Sequence, residues 1–330
     1  MKSKLTTTGS RLNPSQRPAI CLGMPLYNQT RFLPQALDSL LAQTYGDFNL
    51  FVSDDSTEAG PGQIVNSYAA KDQRIVYHRN EYRRGLIDNW RNCFELAGEM
   101  DYFAWVGDHD AWHPRWLESM VQILNTCESV VLVYSQNVNI DNNGGILDKK
   151  IKPGISTLGM DNTRRPLVVC RQGQGFGNMV YGLVRARALR QAGVFPRVMW
   201  PDVILCIKLA LIGDIHQVEE KLWFRRRTDR FSMPRQKRAL FASYRPWYFK
   251  LPWPLVNAWM LTRSPPALAG SETGPQRNLR FNLAAVYFQR WWSKFGGGSW
   301  IGSPHEWRRG KATWIRKLKK FRTAVELKSK

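Results

Sequence analysis

Between residues 19 and 135, short apolar runs alternate with stretches whose apolar residues recur at helical spacing, and this alternation confines the chain to one kind of architecture. AICLGM (19–24), NLFVSDD (49–55), RIVYHRN (74–80), YFAWVG (102–107) and SVVLVYS (129–135) read as strands. FLPQALDSLLAQ (32–43), residues 60–70, LIDNWRNCFELA (86–97) and residues 114–126 read as helices. Phe32, Leu33, Ala36, Leu37, Leu40 and Leu41 share one face, as do Leu86, Trp90, Cys93, Phe94 and Ala97, and Pro114 suits a first helical turn. Such alternation predicts βαβ units and an α/β fold around a mostly parallel, Rossmann-like central sheet covered on both faces. Further on, VNIDNNGGIL (138–147) reads as a hairpin on its Asn-Gly and Gly-Gly signals, followed by a loop to about residue 173. NMVYGLV (178–184), DIHQVE and KLWFRRR read as strands, and RARALRQAG and PDVILCIKLALIG (201–213) as helices. From about residue 233 the pattern stops.

Charge divides the chain near the same point. Lys and Arg outnumber Asp and Glu by 48 to 26, yet residues 1–150 carry 14 basic and 17 acidic residues, while residues 221–330 carry 25 and 4. The excess predicts an anionic partner. A nucleic-acid reader places its basic surface on the recognition fold itself, so a near-neutral body with a basic appendage argues against nucleic acid. Residues 233–330 also hold 8 of the 14 tryptophans. Trp beside Lys and Arg is the composition of an anionic membrane surface, and FNLAAVYFQRWWSKF (281–295) and WIRKLKKFRTAVELK (314–328) fit amphipathic helices. The other reading is that these aromatics pack on the body of the protein or in a homodimer. The best apolar stretch, LPWPLVNAWML (251–261), falls short of the ~20 residues that span a bilayer. The N-terminus lacks the apolar region of a signal peptide, and five cysteines with no Cys-x-x-Cys fit reduced thiols. These features predict a cytoplasmic protein, peripheral on the inner face of the cell membrane.

In open α/β sheets, ligands bind beyond the carboxyl ends of the strands. Three strand ends carry polar groups: PLYN (25–28), DDS (54–56) and GDHD (107–110). Each alone also reads as a turn or a helix cap. There is no Gly-x-Gly-x-x-Gly after the first strand, no phosphate-binding Gly-x-x-x-x-Gly-Lys-Ser/Thr and no Gly-x-Ser-x-Gly.

GMPLYNQTRFLPQALDSLLAQTYGDFNLFVSDDST (23–57) resembles the opening of family-2 glycosyltransferases of GT-A fold: a strand, Pro-x-Tyr-Asn, a helix ending Ser-Leu-x-x-Gln-Thr-Tyr, and a strand ending in paired aspartates. The resemblance continues through RNEYRRGLIDNWRNC, WVGDHDAWHPRWLESM and GVFPRVMWPDVILCIKLALIGDIHQVEEKLWFRRR. It covers residues 18–232 and implies a GT-A domain there; outside it, the polar residues 1–17 read as a mobile tail and residues 233–330 as a basic, aromatic, helical C-terminal region. It implies transfer of a sugar, with inversion, from a nucleoside-diphosphate-sugar to a hydroxyl. The donor would be a UDP-sugar, and the acceptor a glycan or lipid-linked sugar in surface polysaccharide or glycolipid assembly. A divalent metal, Mg²⁺ or Mn²⁺, would offset the charge of the leaving diphosphate.

By the same resemblance, Pro25 and Tyr27 line the base, Asn28 orders the loop, Asp54 or Asp55 accepts from base or ribose, and Arg83 or Arg84 meets base or phosphates. Asp108 and Asp110 match an Asp-x-Asp spacing for metal and donor. On an extended strand they would share one side, with His109 pointing away. Counted back from Pro114, the relatives' metal-binding acid falls at His109, so His109 stays a candidate ligand. Asp202 stands where the family keeps its general base, although Pro201 replaces the usual preceding acid. The arginines of RRRTDRFS (225–232) would neutralise the diphosphate, and Thr228 occupies the place of a family His. Two rival readings remain: a nucleotidyltransferase, for which PLYNQTRF is a poor match, and a non-catalytic glycan- or membrane-binding protein on the same fold.

Overall fold

The computed structural model describes residues 19–147, 154–172, 176–227, 238–241, 245–263 and 274–295. Its strands are β1 (Ile20–Leu26), β2 (Phe48–Asp54), β3 (Ile75–Arg79), β4 (Tyr102–Trp105), β5 (Ala111–Trp112), β6 (Val130–Ile140), β7 (Leu183–Arg185) and β8 (Asp214–Arg226). Its helices are α1 (Leu33–Leu41), α2 (Gly60–Ala69), α3 (Leu86–Ala97), α4 (Trp116–Thr126), α5 (Arg164–Gln172), α6 (Phe176–Met179), α7 (Ala186–Ala192), α8 (Pro201–Ile212), α9 (Trp253–Thr262) and α10 (Gly274–Phe295). The strands form one sheet in the order β3-β2-β1-β4-β7-β6-β8-β5. β3, β2, β1 and β4 are mutually parallel, as are β6 and β8, while β7 and β5 run antiparallel to their neighbours.

Strand alternation sorts the core onto two faces. Ile20, Leu22, Met24 and Leu26 meet Leu33, Leu37 and Leu40 of α1 and Trp116 and Met120 of α4 on one face. Cys21, Phe103 and Trp105 meet Cys93 and Phe94 of α3 on the other. Gly23 lets β4 and α3 crowd β1: a Cβ there would lie 2.6 Å from Phe103 Cζ and 2.7 Å from Cys93 Cβ.

Three expectations are revised. The loop to residue 173 contains α5, because Asp161 Oδ1 accepts the N–H groups of Thr163 and Arg164 (both 2.8 Å) and starts a helix. Residues 178–184 are not one strand. Tyr181 and Gly182 turn back onto Asn178 and Met179, and only Leu183–Arg185 joins the sheet. The segments 129–135 and 138–140 form the single strand β6, and the hairpin shrinks to a turn at 141–145 closed by the Ile140–Ile146 bridge.

The C-terminal region needs the largest correction. Helix α8 buries Val203, Ile204, Leu205, Cys206, Ile207, Leu209 and Ala210, so it has no broad polar face. A helix apolar all round must be covered on all sides. α9 and α10 supply that cover: Val256, Ala258, Trp259, Leu261, Leu283, Ala284, Tyr287, Phe288 and Trp291 belong to the same core as α8. Trp259 and Trp291 are therefore buried, Trp253 is partly so, and Trp247, at 50% exposure, stands out. Trp253, Trp259 and Trp291 therefore serve packing, and α9 and α10 share one core with α8. The 1–17 tail, Thr228 and the basic 314–328 segment lie outside the described residues. Among the described residues no helix is long and apolar enough to cross a membrane.

Gly23→Ala forces a methyl group into the β1–α3 contact, and we expect a loss of about 1–3 kcal/mol of stability by denaturant unfolding.

Candidate active site

Because β1 to β4 are parallel, their carboxyl ends deliver residues 27–28, 55–57, 80–85 and 106–110 to one edge of the sheet. Asn28 adopts a left-handed backbone (φ 51°), which asparagine tolerates. Its Nδ2 donates to Thr57 Oγ1 (2.9 Å), its Oδ1 accepts the Thr57 N–H (2.9 Å), and its own N–H donates to Ser56 Oγ (2.8 Å). It thereby stitches the first strand end to the second.

The paired aspartates are drawn inward. Asp54 has no exposed surface: its Oδ2 accepts from Tyr77 Oη (2.7 Å) and Arg79 Nη1 (2.6 Å), and its Oδ1 accepts the Ser56 N–H (2.8 Å). That burial removes it from contact with a base or ribose. Asp55, 5% exposed, accepts the N–H groups of Arg84 (2.6 Å) and Gly85 (2.8 Å) and shapes the turn into α3. Beneath them Asn80, Asn89, Asn92 and Ser53 form a buried hydrogen-bonded cluster. Tyr27 remains open, at 43% exposure, with the Arg83 guanidinium 4.5 Å from its ring centre. Pro25 lies half-buried in β1 opposite Ser53. Arg84 turns away, its Nε donating to Asn80 Oδ1 (3.0 Å), and lines a separate cleft with Tyr82, Asp88, Arg91, Glu95 and Arg197. The structure thus brings Arg83, not Arg84, onto Tyr27.

β4 ends at Trp105, and Asp108 and His109 form a turn, so the extended Asp-x-Asp geometry does not occur. His109 lies between the two acids, with Nδ1 2.6 Å from Asp108 Oδ1 and Nε2 3.8 Å from Asp110 Oδ1. Burial pulls its imidazolium down, but the Asp108 hydrogen bond and the charges of Asp108 and Asp110 outweigh it and raise the ring to about 9. Asp110 is 2% exposed; Trp223 Nε1 donates to its Oδ2 (3.0 Å) and the Arg226 N–H to its Oδ1 (2.8 Å). Burial raises its pKa against those bonds and the neighbouring cations. Asp108 keeps some exposure, and its Oδ2 faces the Tyr27 N–H at 3.5 Å. Among the described residues no three His, Cys, Asp or Glu side chains are grouped as a metal cage. Asp108, a carboxylate of this turn that keeps some exposure, is of the kind that would serve a hard divalent cation as a ligand.

Asp202 lies in the first turn of α8, on the wall of a cavity of about 200 Å³ lined by Leu86, Trp90, Tyr181, Phe195, Trp200 and Arg225 among others. Burial raises its pKa, against the opposing pull of the Val203 N–H, its own N–H and the Arg225 charge. Gly177 leaves the space between Asp202 and Arg225 open: a Cβ there would lie 3.7 Å from the Arg225 guanidinium and 3.9 Å from Asp202 Oδ2. Arg225 Nη1 donates to Asn178 Oδ1 (3.0 Å). Tyr181 lies within electrostatic reach of Asp108, Asp110, Asp202 and Arg225, which joins the two halves of the site.

Tyr181, Trp90 and the asparagine cluster were not apparent as site residues; the one available signal was Asn89 and Asn92 at i, i+3 on α3. Arg226, expected with its neighbours to neutralise the diphosphate, is instead turned into the fold. It is 3% exposed, donates from Nε to the His109 carbonyl (3.0 Å), from Nη1 to the Asp141 carbonyl (2.6 Å) and from Nη2 to Gln35 Oε1 (2.5 Å), and lies 4.2 Å from the Phe32 ring centre.

A sheet of this order, with acidic and aromatic groups at the parallel strand ends and an acid opening a later helix, has the architecture of the GT-A glycosyltransferase fold. The chain belongs to glycosyltransferase family 2, whose profile matches residues 21–189. It is 27% identical over 203 residues to an uncharacterized glycosyltransferase of Rickettsia felis, covering 60% of this chain and 32% of the relative. It is 28% identical over 139 residues to one of Methanocaldococcus jannaschii, covering 42% of this chain and 47% of the relative. The matched stretch thus spans a third to a half of these relatives. Among solved structures, S. aureus TarS 1-349 in complex with UDP-GlcNAc shares the fold, with a TM-score of 0.59, 14% identity, and coverage of 91% of this chain and 80% of that one.

Replacing Arg226 by Met leaves the His109 and Asp141 carbonyls and Gln35 Oε1 without their shared donor at a buried position. We expect a loss on the order of 3 kcal/mol by denaturant unfolding, together with weakened donor binding by calorimetry as the 108–110 turn loosens.

Proposed function

We propose that the chain transfers a sugar from a nucleoside-diphosphate-sugar to an acceptor hydroxyl with inversion, with Asp202 as general base. The observation that carries this reading is the half-buried Asp202 carboxyl. It faces Arg225 across the space that Gly177 leaves open, on a cavity wall that Tyr181 links to the Asp108–Asp110 turn. The donor lies along the strand ends: Tyr27, with Pro25 and Arg83, packs on the base, and Asn28 and Asp55 hold the loops that shape its seat. Asp108, with His109 and Asp110 beside it, would hold a divalent cation, Mg²⁺ or Mn²⁺, which supplies positive charge to the diphosphate. Arg225 adds to that charge from the acceptor side.

Asp202 takes the proton of the acceptor hydroxyl, whose oxygen attacks the anomeric carbon on the face opposite the diphosphate. The bond from that carbon to the diphosphate oxygen breaks, and the nucleoside diphosphate leaves with the electron pair. The TarS complexes hold UDP-GlcNAc and UDP, which makes UDP-sugars the first donors to try. A glycan or lipid-linked sugar at the inner membrane face remains the acceptor we favour, and we place the catalytic unit at residues 19–295, since α9 and α10 share its core.

The test is nucleoside diphosphate release and binding with UDP-, GDP- and dTDP-sugars in Mg²⁺ or Mn²⁺. Metal-dependent release from one donor, lost in Asp108→Ala, supports the reading; binding of no donor sinks it. Asp202→Asn is expected to slow transfer by roughly 10²–10⁴-fold while leaving UDP affinity unchanged by calorimetry. The pH profile follows from burial of the same group. Asp202 works only when ionised and its pKa is raised, so the rate climbs with pH through a limb on the alkaline side of an ordinary carboxylate at ~3.9. An acid limb at or below that value would contradict the assignment.

A further inference from the structure

Helices α9 and α10 close over α8 at the end that carries Asp202. The Met199 carbonyl accepts from Asn257 Nδ2 of α9 at 2.7 Å, and the same amide donates to the Tyr287 hydroxyl of α10 at 2.8 Å. Trp200 follows with a left-handed backbone (φ 51°, ψ 61°), a conformation that bulky residues hold only when their surroundings enforce it. Its ring meets Trp253 edge-on (4.1 Å, 85°) and lies tilted on Trp291 (5.0 Å, 33°). Pro201 then sets the first turn of α8, so the direction of Asp202 follows from how residues 199 and 200 are held.

Asn257 itself is informative. It has no exposed surface, and among the described residues its Oδ1 accepts no hydrogen bond. A buried amide with an unmatched acceptor is poorer for stability than an apolar side chain of similar size. Such groups persist where geometry matters more than stability.

We propose that the contact made by Asn257 of α9 and Tyr287 of α10 at the start of α8 is a working part of the active site. Asn257 is the positioning residue that holds the Asp202 carboxyl against the cavity, through the Met199 carbonyl and the Trp200 elbow. The proposal rests on the reading of Asp202 as the base. The groups that face Asp202 are Arg225 of β8, Tyr181 after α6, Cys206 one turn further along α8, and Tyr287 of α10. Loosening the elbow admits water to the carboxyl and lowers its pKa toward that of an ordinary acid.

The test compares the full chain with Asn257→Leu, Leu261→Ala and Asp202→Asn, using the UDP-sugar that the wild type turns over in Mg²⁺ or Mn²⁺. Leu261 is buried one turn further along α9 and serves as a packing control. In Asn257→Leu we expect kcat to fall roughly 10²-fold for a displaced base, UDP affinity to stay within about twofold, and the acid limb of the pH profile to move to lower pH. Leu261→Ala is expected to lower the melting temperature while keeping kcat and the acid limb. If Asn257→Leu does not fold, Asn257→Gln shifts the amide by one methylene and is expected to change the same readouts in the same direction. Wild-type kcat and acid limb in a folded Asn257 variant would overturn the proposal, as would an equal kcat loss in Leu261→Ala. Turnover that survives Asp202→Asn would overturn the base assignment itself, and the Asn257 result would then report packing alone.

Discussion

Four parallel strands end at one edge of the sheet, and the polar groups gathered there must be satisfied without closing the edge. Carbonyls, amides and carboxylates from four segments cannot all face water, and none can be buried unpaired without cost. The chain meets this constraint by turning most of its strand-end acids into fasteners. Asp54 holds Tyr77 and Arg79, Asp55 holds the entry to α3, and Asp110 holds Trp223 and the backbone of Arg226. What stays open is small: Tyr27, part of Asp108, and the cavity beside Asp202. The site is the remainder after the edge has been made stable.

The second half of the sheet answers a different demand. β7 is three residues long, yet it stands between β4 and β6 and joins the β3-β2-β1-β4 part of the sheet to the β6-β8-β5 part. Beyond it α8 lies between the sheet and the C-terminal helices. Its apolar surface requires burial on every side, and only its first turn reaches the cavity. A carboxyl at the rim of so apolar a layer is poorly solvated, which accounts for its raised pKa. Burial of α8 and tuning of Asp202 are two effects of one packing arrangement.

Legibility in the sequence followed the strength of local patterns. Helix α3 was read at its true limits, since Gly85 and Gly98 bracket a clear apolar stripe. β6 was split because Gln136, Asn137 and Asn139 interrupt its apolar run; these residues belong to the end of the strand that approaches the site. β7 was too short for any periodicity. The roles of Asp54 and Arg226 were hidden for another reason: whether a strand-end charge faces a ligand or its own fold depends on partners such as Tyr77 and Gln35, distant in sequence. The C-terminal tryptophans were ambiguous because Trp mixed with Arg has the same composition at a lipid surface and in a packed interface. The discriminating signal lay elsewhere, in PDVILCIKLALI, a helix with too few polar positions to stand uncovered.

The order of the chain gives that helix an awkward history. α8 is complete at residue 212, but its cover comes from residues 253–295. At ribosomal rates of ~5–20 residues per second the interval lasts roughly 4–16 s. During that time the nascent protein presents an apolar surface that the finished one buries. A stall or stop between these points would release a polypeptide with that apolar surface uncovered.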